Sequence, residues 1–347
     1  TISVCSNCRN LCIGDYGGRT GDRKACQSPK VLMGAWFGCG IFCFADADYT
    51  WRLPYAEREC GKYDNCVHSV LGRRDDRGND FIGNDEKSCR KDGDDMEYLV
   101  ETALLTHGLK SISNTDILDK WTIQKKNIVW VSQGKIKIGD MEEYLFFREH
   151  ADRVMRLNCE TLEDAMENRI SGALTASGTM EVCRRNGIPV AVTCGMGGTS
   201  KIKEEKLCSD LPALVNLPVI LISTGPKDMM DRGKTVQWLV DHGVKVVGAK
   251  RGFCTGYIFE GDKVLLQGEM QKPYVPPLLI IQEIPEQKRV KDREILAKAI
   301  REGKKAESAG QYFHPAVNGK IDELTEGYSS VIQLESLLEN AKLAEWL

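Results

Sequence analysis

The pattern of apolar and polar residues changes along the chain, and the change comes near Met96. Beyond that residue, short apolar runs alternate with stretches in which apolar residues recur at helical spacing. The predicted buried strands are 127–131, 187–193, 217–222, 244–248 and 277–281. The predicted helices are 162–170, 176–186, 235–242 and 291–302. Because strands alternate with helices, residues 96–347 are predicted to form an α/β/α layered domain with a mostly parallel central sheet.

Residues 1–95 show neither a helical nor a strand period for more than a few positions. Their one apolar run, 31–44, is broken by three glycines, and the stretch 72–95 is polar and rich in turn residues. This pattern argues against a self-supporting apolar core, so a small domain here would need metal ions or disulfides. We therefore predict a domain boundary between a Cys-rich segment, 1–95, and a catalytic domain, 96–347.

Composition and charge narrow the classes of protein that remain. The 347 residues include 47 Lys+Arg and 50 Asp+Glu, a net charge of −3 that provides no basic field for nucleic acid. With 42% hydrophobic and 28% charged residues, the composition excludes a largely disordered chain. No apolar run reaches membrane-spanning length, and the first residues do not resemble a secretion signal. The expected setting is cytoplasmic, with no membrane or nucleic-acid partner.

Cysteine is distributed unevenly, because nine of the 14 cysteines fall in the first 95 residues. Cys5, Cys8 and Cys12 form a compact triplet, and Cys39 and Cys43 form a close pair. Thiolates at such spacings can hold Zn²⁺ or an iron–sulfur cluster. Disulfides would instead require an oxidising compartment. A non-native extension without any site is the third alternative, and all three stay open.

Two loops that follow predicted strands carry candidate chemistry. The loop 193–200 contains three glycines, as a loop does when its backbone approaches an anion, but it is not a dinucleotide-binding motif. Taken alone, this loop is better explained as a tight turn. The loop 223–228 places Lys227 at the carboxyl end of a strand, where open α/β sheets carry their ligands. A single loop lysine is usually a solvated surface charge. Neither loop decides the function by itself.

The order of the short motifs is more informative than any one of them. The motifs are Glu101-Thr-Ala-Leu-Leu-Thr-His-Gly108, Gln133-Gly-Lys-Ile-Lys-Ile-Gly139, Ala176-Ser-Gly-Thr-Met180, the loop 193–200, Cys208-Ser-Asp-Leu211, 225–233, 283–287, 323–327 and 339–341. In this order they resemble the pseudouridine-5′-phosphate glycosidase family, also called indigoidine-synthase-A-like. The resemblance covers about residues 97–343 and none of the Cys-rich segment.

The resemblance implies a homotrimeric enzyme that uses a divalent cation, typically Mn²⁺, to split pseudouridine 5′-phosphate into uracil and ribose 5-phosphate. A carbon–carbon glycosidic bond has no leaving oxygen to protonate, so the usual pair of carboxylates cannot cleave it. A lysine can instead attack the anomeric carbon and form an imine. By resemblance, Lys227 is that nucleophile, Glu101 is the acid/base residue, Asp210 holds the metal through water, and Thr193 contacts the substrate.

This sequence departs from the family pattern in the residues expected to bind substrate. Ser200 stands where the family has a histidine, and Arg156 stands where it has a lysine. Glu160 replaces an arginine of a phosphate-binding string, which predicts a weaker preference for a phosphorylated substrate. The family's late Ser-Asn pair corresponds to Ile332-Gln333. The expected substrate-binding residues are Arg156, Asn158, Thr193, Gly197, Gly198, Ser200 and Gln333.

Three functions remain open from the sequence. The first is a C-glycosidase acting through a lysine imine on pseudouridine 5′-phosphate or a related C-ribosyl compound. The second is a glycosidase or lyase for another sugar derivative, which the altered phosphate string favours. The third is a catalytically silent homologue whose Cys-rich segment is a metal-bound interaction module.

Overall fold

The computed structural model describes residues 97–199 and 207–347. The Cys-rich segment, the candidate Zn²⁺ or iron–sulfur ligands Cys5, Cys8 and Cys12, the domain boundary and Ser200 all lie outside the described residues. The predictions about them stay predictions.

Strands in the described part of the chain are short. They are β1 Tyr98–Val100, β2 Ile128–Ser132, β3 Lys135–Gly139, β4 Met155–Leu157, β5 Gly172–Leu174, β6 Val190–Val192, β7 Gly195–Met196, β8 Ile220–Ser223, β9 Gly225–Pro226, β10 Lys245–Gly248, β11 Phe253–Gly256, β12 Glu260–Leu265 and β13 Leu278–Ile281. The five strands predicted from the apolar runs correspond to β2, β6, β8, β10 and β13.

Nine of these strands form one sheet in the order β10-β13-β8-β6-β1-β2-β5-β4, with β3 paired to β2. The strands from β10 through β1 to β2 are parallel, as are β4 and β5. Only β3 and β5 pair antiparallel with β2. The prediction of a mostly parallel sheet is confirmed.

Helices connect most of the strands. In the described residues they are α1 Asn114–Lys120, α2 Met141–Arg148, α3 Leu162–Glu167, α4 Ala176–Asn186, α5 Asp210–Asn216, α6 Arg232–Asp241, α7 Arg293–Ser308, α8 Phe313–Leu324 and α9 Tyr328–Ala344. A π-helical turn covers Leu104–Gly108, and 3₁₀ turns cover Ala151–Arg153 and Glu286–Lys288.

Helix α4 shows why a pattern can predict both ends of an element. The Thr175 side chain accepts a hydrogen bond from the Gly178 amide and so caps the amino end. Gly187 ends the helix in the left-handed region at φ 68°, where glycine carries no Cβ penalty. The predicted helix 176–186 is confirmed at these bounds.

Two apolar clusters lie on opposite faces of the sheet, and adjacent strand residues alternate between them. Val192 and Ile222 belong to the cluster that includes α2, α8 and α9. Ala191 and Leu221 belong to the cluster that includes α3, α4, α5 and α6. A strand that is apolar on both faces must be covered on both faces, so the α/β/α architecture is confirmed. Within the described ranges, no helix combines the length and apolar character needed to cross a bilayer.

Candidate active site

Three candidate site residues follow the carboxyl ends of neighbouring parallel strands. Glu101 follows β1, Thr193 follows β6, and Lys227 follows β8 after the short strand β9. The Glu101 amide donates to the Val192 carbonyl (2.9 Å), and the Thr193 amide donates to the Ile222 carbonyl (2.9 Å). These bonds hold the three loops side by side at one edge of the sheet.

A second group of residues lies on the antiparallel part of the sheet, close to the carboxyl end of β1. Because Val100 pairs with Ile128 at the start of β2, the carboxyl end of β5 reaches the end of β1. There the Leu174 amide donates to Thr102 Oγ1 at 3.0 Å. Strand β4, which is parallel to β5, carries Arg156 to the same place.

Both groups line one cavity of about 220 Å³. Of the predicted site residues, those lining it are Glu101, Arg156, Asn158, Gly197, Asp210 and Lys227. A narrow extension of about 20 Å³ adjoins Glu101, Arg156 and Lys227. The structure therefore brings together the predicted nucleophile, the predicted acid/base residue and the predicted metal-binding aspartate.

The other predicted substrate-binding residues in the described ranges are not among those that line this cavity. Thr193 is fully buried, and its carbonyl accepts a hydrogen bond from Asn340 Nδ2 (2.8 Å), which also donates to Thr224 Oγ1 (3.0 Å). Gln333 is buried and accepts a hydrogen bond from the Tyr257 hydroxyl at 3.0 Å. Gly198 packs against Met230 and Thr235. Their substrate contacts remain predictions.

The side chain of Asn158 stabilises the turn after β4 by accepting backbone hydrogen bonds. Asn158 Oδ1 accepts hydrogen bonds from the Glu160 amide (3.0 Å) and the Thr161 amide (2.9 Å). Only the amide nitrogen of Asn158 is left for a substrate. Glu160, which was expected to repel a phosphate, is exposed and is not among the residues that line the cavity.

The glycine loop is shaped by close contact with the lysine loop. Strand β7 pairs in parallel with β9, and the Lys227 amide donates to the Met196 carbonyl at 3.1 Å. A Cβ on Gly195 would lie 2.6 Å from the Tyr257 ring and 3.0 Å from Lys227 Cγ, so only glycine fits. Two loop amides are already bonded: Gly197 donates to Asp210 Oδ2 (2.8 Å) and Thr199 donates to Thr235 Oγ1 (3.0 Å).

The carboxyl group of Glu101 is buried in the wall of the cavity, and this burial changes its pKa. Burial raises its pKa to about 7, although Lys227, the Thr193 hydroxyl and Arg156 oppose the rise. The Thr193 hydroxyl lies near this carboxyl but makes no full hydrogen bond with any residue of the described ranges. At neutral pH both protonation states of Glu101 are populated, as a residue that gives and takes protons requires.

The contacts of Asp210 show whether the cavity residues fit a divalent cation. Its Oδ1 accepts a hydrogen bond from the Ser177 amide (3.0 Å) and its Oδ2 accepts one from the Gly197 amide. Within the described ranges, no three His, Cys, Asp or Glu side chains lie close enough together to hold a metal. Direct coordination by protein side chains therefore does not fit. A hydrated cation does fit, because Asp210 lines the cavity and each carboxylate oxygen keeps a lone pair.

His314, in the first turn of α8, is a cavity residue that sequence reasoning missed. Burial, together with Lys227 and Arg156, lowers its pKa to about 3, so the imidazole is neutral. No quoted motif includes it. The sequence offered one signal that could have drawn attention to His314, the scarcity of histidine, since the chain has five histidines in all.

Comparison with known proteins shows the family to which this chain belongs. The family model for indigoidine synthase A-like proteins matches residues 99–274. The curated pseudouridine-5′-phosphate glycosidase of Alkaliphilus metalliredigens is 27% identical over 270 residues, covering 70% of this chain and 88% of the relative. The corresponding glycosidase of Caldanaerobacter subterraneus is 28% identical with the same coverage.

Two solved structures share the fold. An indigoidine synthase A-like protein from Thermotoga maritima superimposes with a TM-score of 0.59 at 20% identity, over 72% of this chain and 91% of that one. The prealnumycin C-glycosynthase AlnA, solved with ribulose 5-phosphate, has a TM-score of 0.58 at 20% identity, over 72% and 89%. At this level of identity the likeness shows the architecture alone.

Proposed function

Because the chain belongs to the indigoidine synthase A-like family, we propose that it is a C-glycosidase of pseudouridine 5′-phosphate or a related C-ribosyl compound. The products are a free base and ribose 5-phosphate, or ribose. The curated relatives carry the name of this activity. The observation that carries the proposal is that Lys227 and the buried carboxyl group of Glu101 line the same cavity.

The reaction begins at the anomeric carbon of the sugar. Lys227 Nζ forms a bond to this carbon, the bond from the carbon to the ring oxygen breaks, and Glu101 gives its proton to that oxygen. Glu101 then accepts the proton that the new secondary amine releases. A group whose pKa is about 7 performs both transfers with little energetic cost at neutral pH.

Cleavage of the carbon–carbon bond follows from the open-chain amine. The lone pair of the lysine nitrogen forms a double bond to the anomeric carbon, the bond to the base breaks, and the base carbon takes up a proton. Water then hydrolyses the imine, which releases the aldehyde sugar and restores Lys227. The nucleophile thus supplies the electron pair that expels the base, so the reaction needs no leaving oxygen at the glycosidic bond.

We also propose that Asp210 holds a hydrated divalent cation, Mn²⁺ in the first instance, next to the cavity. Bound there, the cation supplies positive charge beside the substrate, while Asp210 orients its water ligands. Exhaustive chelation is expected to abolish turnover, and added Mn²⁺ is expected to restore it. Full activity after chelation contradicts the metal assignment.

By the same family resemblance, we propose that the protein is a homotrimer and that it is located in the cytoplasm. Light scattering tests the oligomeric state, and cell fractionation tests the location.

The deciding experiment measures uracil released from pseudouridine 5′-phosphate by the full chain and by Lys227→Ala. Loss of turnover with an unchanged unfolding temperature is expected for this variant. Lys245→Ala is the matched control, because Lys245 is exposed on β10 and does not line the cavity. Borohydride with ribose 5-phosphate is expected to leave a covalent sugar adduct on Lys227, located by peptide mass spectrometry. Unchanged turnover in Lys227→Ala removes the imine mechanism.

A further inference from the structure

Asp228, the residue after the proposed nucleophile, carries a buried carboxyl group that the mechanism does not use. It is not among the residues that line the active-site cavity or its narrow extension. It lines a second cavity, of about 470 Å³, together with Arg232 and Phe259. A buried charge persists only where hydrogen bonds and opposite charge replace the lost water, so the partners of this carboxylate show what it holds together.

The Asp228 carboxylate joins the lysine loop to the turn 257–259, which connects β11 and β12. Its Oδ2 accepts hydrogen bonds from the Ile258 amide (2.9 Å) and the Phe259 amide (3.2 Å). Its Oδ1 lies 3.7 Å from Nη2 of Arg232, the first residue of α6. Burial raises the pKa of this carboxyl group to about 6, and Arg232 and the backbone amides oppose the rise, so the carboxylate form prevails at neutral pH.

The turn 257–259 also carries Tyr257, whose ring packs beside the aliphatic part of Lys227. A Cβ on Gly195 would meet both, at 2.6 Å from the ring and 3.0 Å from Lys227 Cγ. The Tyr257 hydroxyl donates a hydrogen bond to Gln333 Oε1 (3.0 Å), which fixes the ring. The ring is therefore a fixed surface beside the nucleophile, and Asp228 sets the distance between the two main chains that carry them.

The lysine loop has its other main-chain contacts with the glycine loop. The Lys227 amide donates to the Met196 carbonyl (3.1 Å), and the Asp231 amide donates to the Thr199 carbonyl (3.0 Å). Two bonds to one loop leave rotation about the line that joins them. Asp228 removes this freedom, because its bonds go to a different element.

We propose that Asp228 is a positioning residue, which holds Lys227 at the place from which its amine attacks the sugar by accepting the two amides of the turn 257–259. The identity of the sugar rests on the proposed function, whereas the positioning role rests on these contacts. A displacement of about 1 Å at a reacting group costs on the order of 100-fold in rate. A contact one residue from the nucleophile therefore has a measurable effect on the reaction.

The test measures imine formation at Lys227 without the glycosidic substrate. The Lys227 amine and the aldehyde of glyceraldehyde lose one water to form an imine, and borohydride reduces it to a secondary amine that peptide mass spectrometry counts. Asp228→Ala is expected to lower the trapping rate about tenfold or more, at a temperature at which circular dichroism shows the variant folded. Asp228→Asn, whose carbonyl oxygen can accept both amides, is expected to lie between that variant and the wild type. Asp262→Ala is the control, because Asp262 is exposed on the same second cavity.

Steady-state kinetics provide a readout that a purely structural role would not move. Asp228→Ala is expected to lower kcat for pseudouridine 5′-phosphate and to leave KM within about twofold of the wild type, because Asp228 does not line the substrate cavity. A wild-type trapping rate in folded Asp228→Ala overturns the proposal. An equal loss in Asp228→Asn and Asp228→Ala overturns it as well, since the two amides would then not be what holds the loop.

The two measurements also separate failure of the positioning role from failure of the proposed function. If the wild type is trapped at Lys227 but releases no uracil from pseudouridine 5′-phosphate, the proposed function fails, and the trapping rates of the variants still decide the role of Asp228. If uracil is released and Asp228→Ala equals the wild type in trapping and turnover, the positioning role fails and the function stands.

Discussion

At the scale of single residues, Glu101 shows how burial brings the pKa of a carboxyl group close to neutral pH. Its side chain is 5% exposed, and its pKa rises from 4.5 to about 7, chiefly by desolvation. The same burial has a consequence for folding. A carboxyl group whose pKa is raised in the folded state stabilises the protein below the unfolded pKa, and this stabilisation is lost as the pH rises through the folded pKa.

We therefore expect the stability of Glu101→Gln relative to the wild type to increase as the pH rises from 5 to 8. The amide cannot ionise, so the variant avoids the cost of a buried charge, which amounts to up to about 3 kcal/mol for this shift. Urea unfolding at both pH values measures the difference. Glu307→Gln is the control, since Glu307 is exposed near the end of α7. A difference that stays constant from pH 5 to pH 8 contradicts the assignment.

Motifs predicted some of the cavity residues and not others, for a physical reason. Glu101, Asp210 and Lys227 stand within short strings whose order is informative by itself. His314 joins them only because α8 packs its first turn against loops from distant strands. Such a contact leaves no local pattern in the sequence. Gln333 illustrates the opposite case, because it was predicted to bind substrate but does not line the cavity.

At the scale of elements, the pairing of β7 with β9 sets the position of the lysine loop. Gly195→Ala would push a methyl group against the Tyr257 ring and Lys227 Cγ. Overpacking of this kind typically costs about 1–3 kcal/mol, and here it also displaces Lys227, the proposed nucleophile. We expect a lower unfolding temperature together with loss of turnover in this variant.

The matched control for Gly195→Ala is Gly319→Ala. Gly319 lies inside α8, and a Cβ there meets nothing within 4 Å. Alanine in a helix interior is expected to stabilise the protein by about 0.5–1 kcal/mol. The opposite signs of the two changes distinguish steric contact from a general effect of removing glycine. Equal effects would argue against the tight packing at Gly195.

Asp210 links two further elements, the start of α4 and the glycine loop, by accepting one amide hydrogen bond on each oxygen. Asp210→Asn places an NH₂ group opposite one of these amides, so one donor is left unpaired. The expected cost is about 1–3 kcal/mol of unfolding free energy, even with all metal removed by chelator. Calorimetric unfolding in chelator measures it. No loss of stability there would mean that Asp210 acts only through a cation.

Helix α9 shows why parts of the fold escaped prediction. It has 17 residues, yet its buried positions include Ser330, Gln333 and Asn340 as well as apolar side chains. A buried face that contains polar residues gives no clear hydrophobic period. Strands β1, β4 and β5 escaped for another reason, because each has three residues and none extends into a longer apolar run. The equally short β6 was predictable because it continues the apolar run that begins at Ile188.

At the scale of the whole molecule, the cavity forms where two strand directions meet. The parallel strands β1, β6 and β8 supply Glu101 and Lys227, while β4 and β5, which run against β2, supply Arg156. The sequence predicted the parallel strands β6 and β8 and therefore the side of the cavity that carries Lys227. The other side depends on the stagger between β1 and β2, which only the pairing of distant segments fixes.

The contacts of Asn340 also constrain when this cavity can form during protein synthesis. The side-chain amide of Asn340 donates to the backbone carbonyl of Thr193, 147 residues earlier, and to the Thr224 hydroxyl, 116 residues earlier. Domains generally fold as units as they leave the ribosome. The nascent sheet can therefore assemble its first strands while the loops that carry Thr193 and Thr224 still lack this bridge. The loops that carry Thr193 and Thr224 are set in their final surroundings only after α9 has emerged, so an incomplete nascent chain does not yet hold the finished cavity.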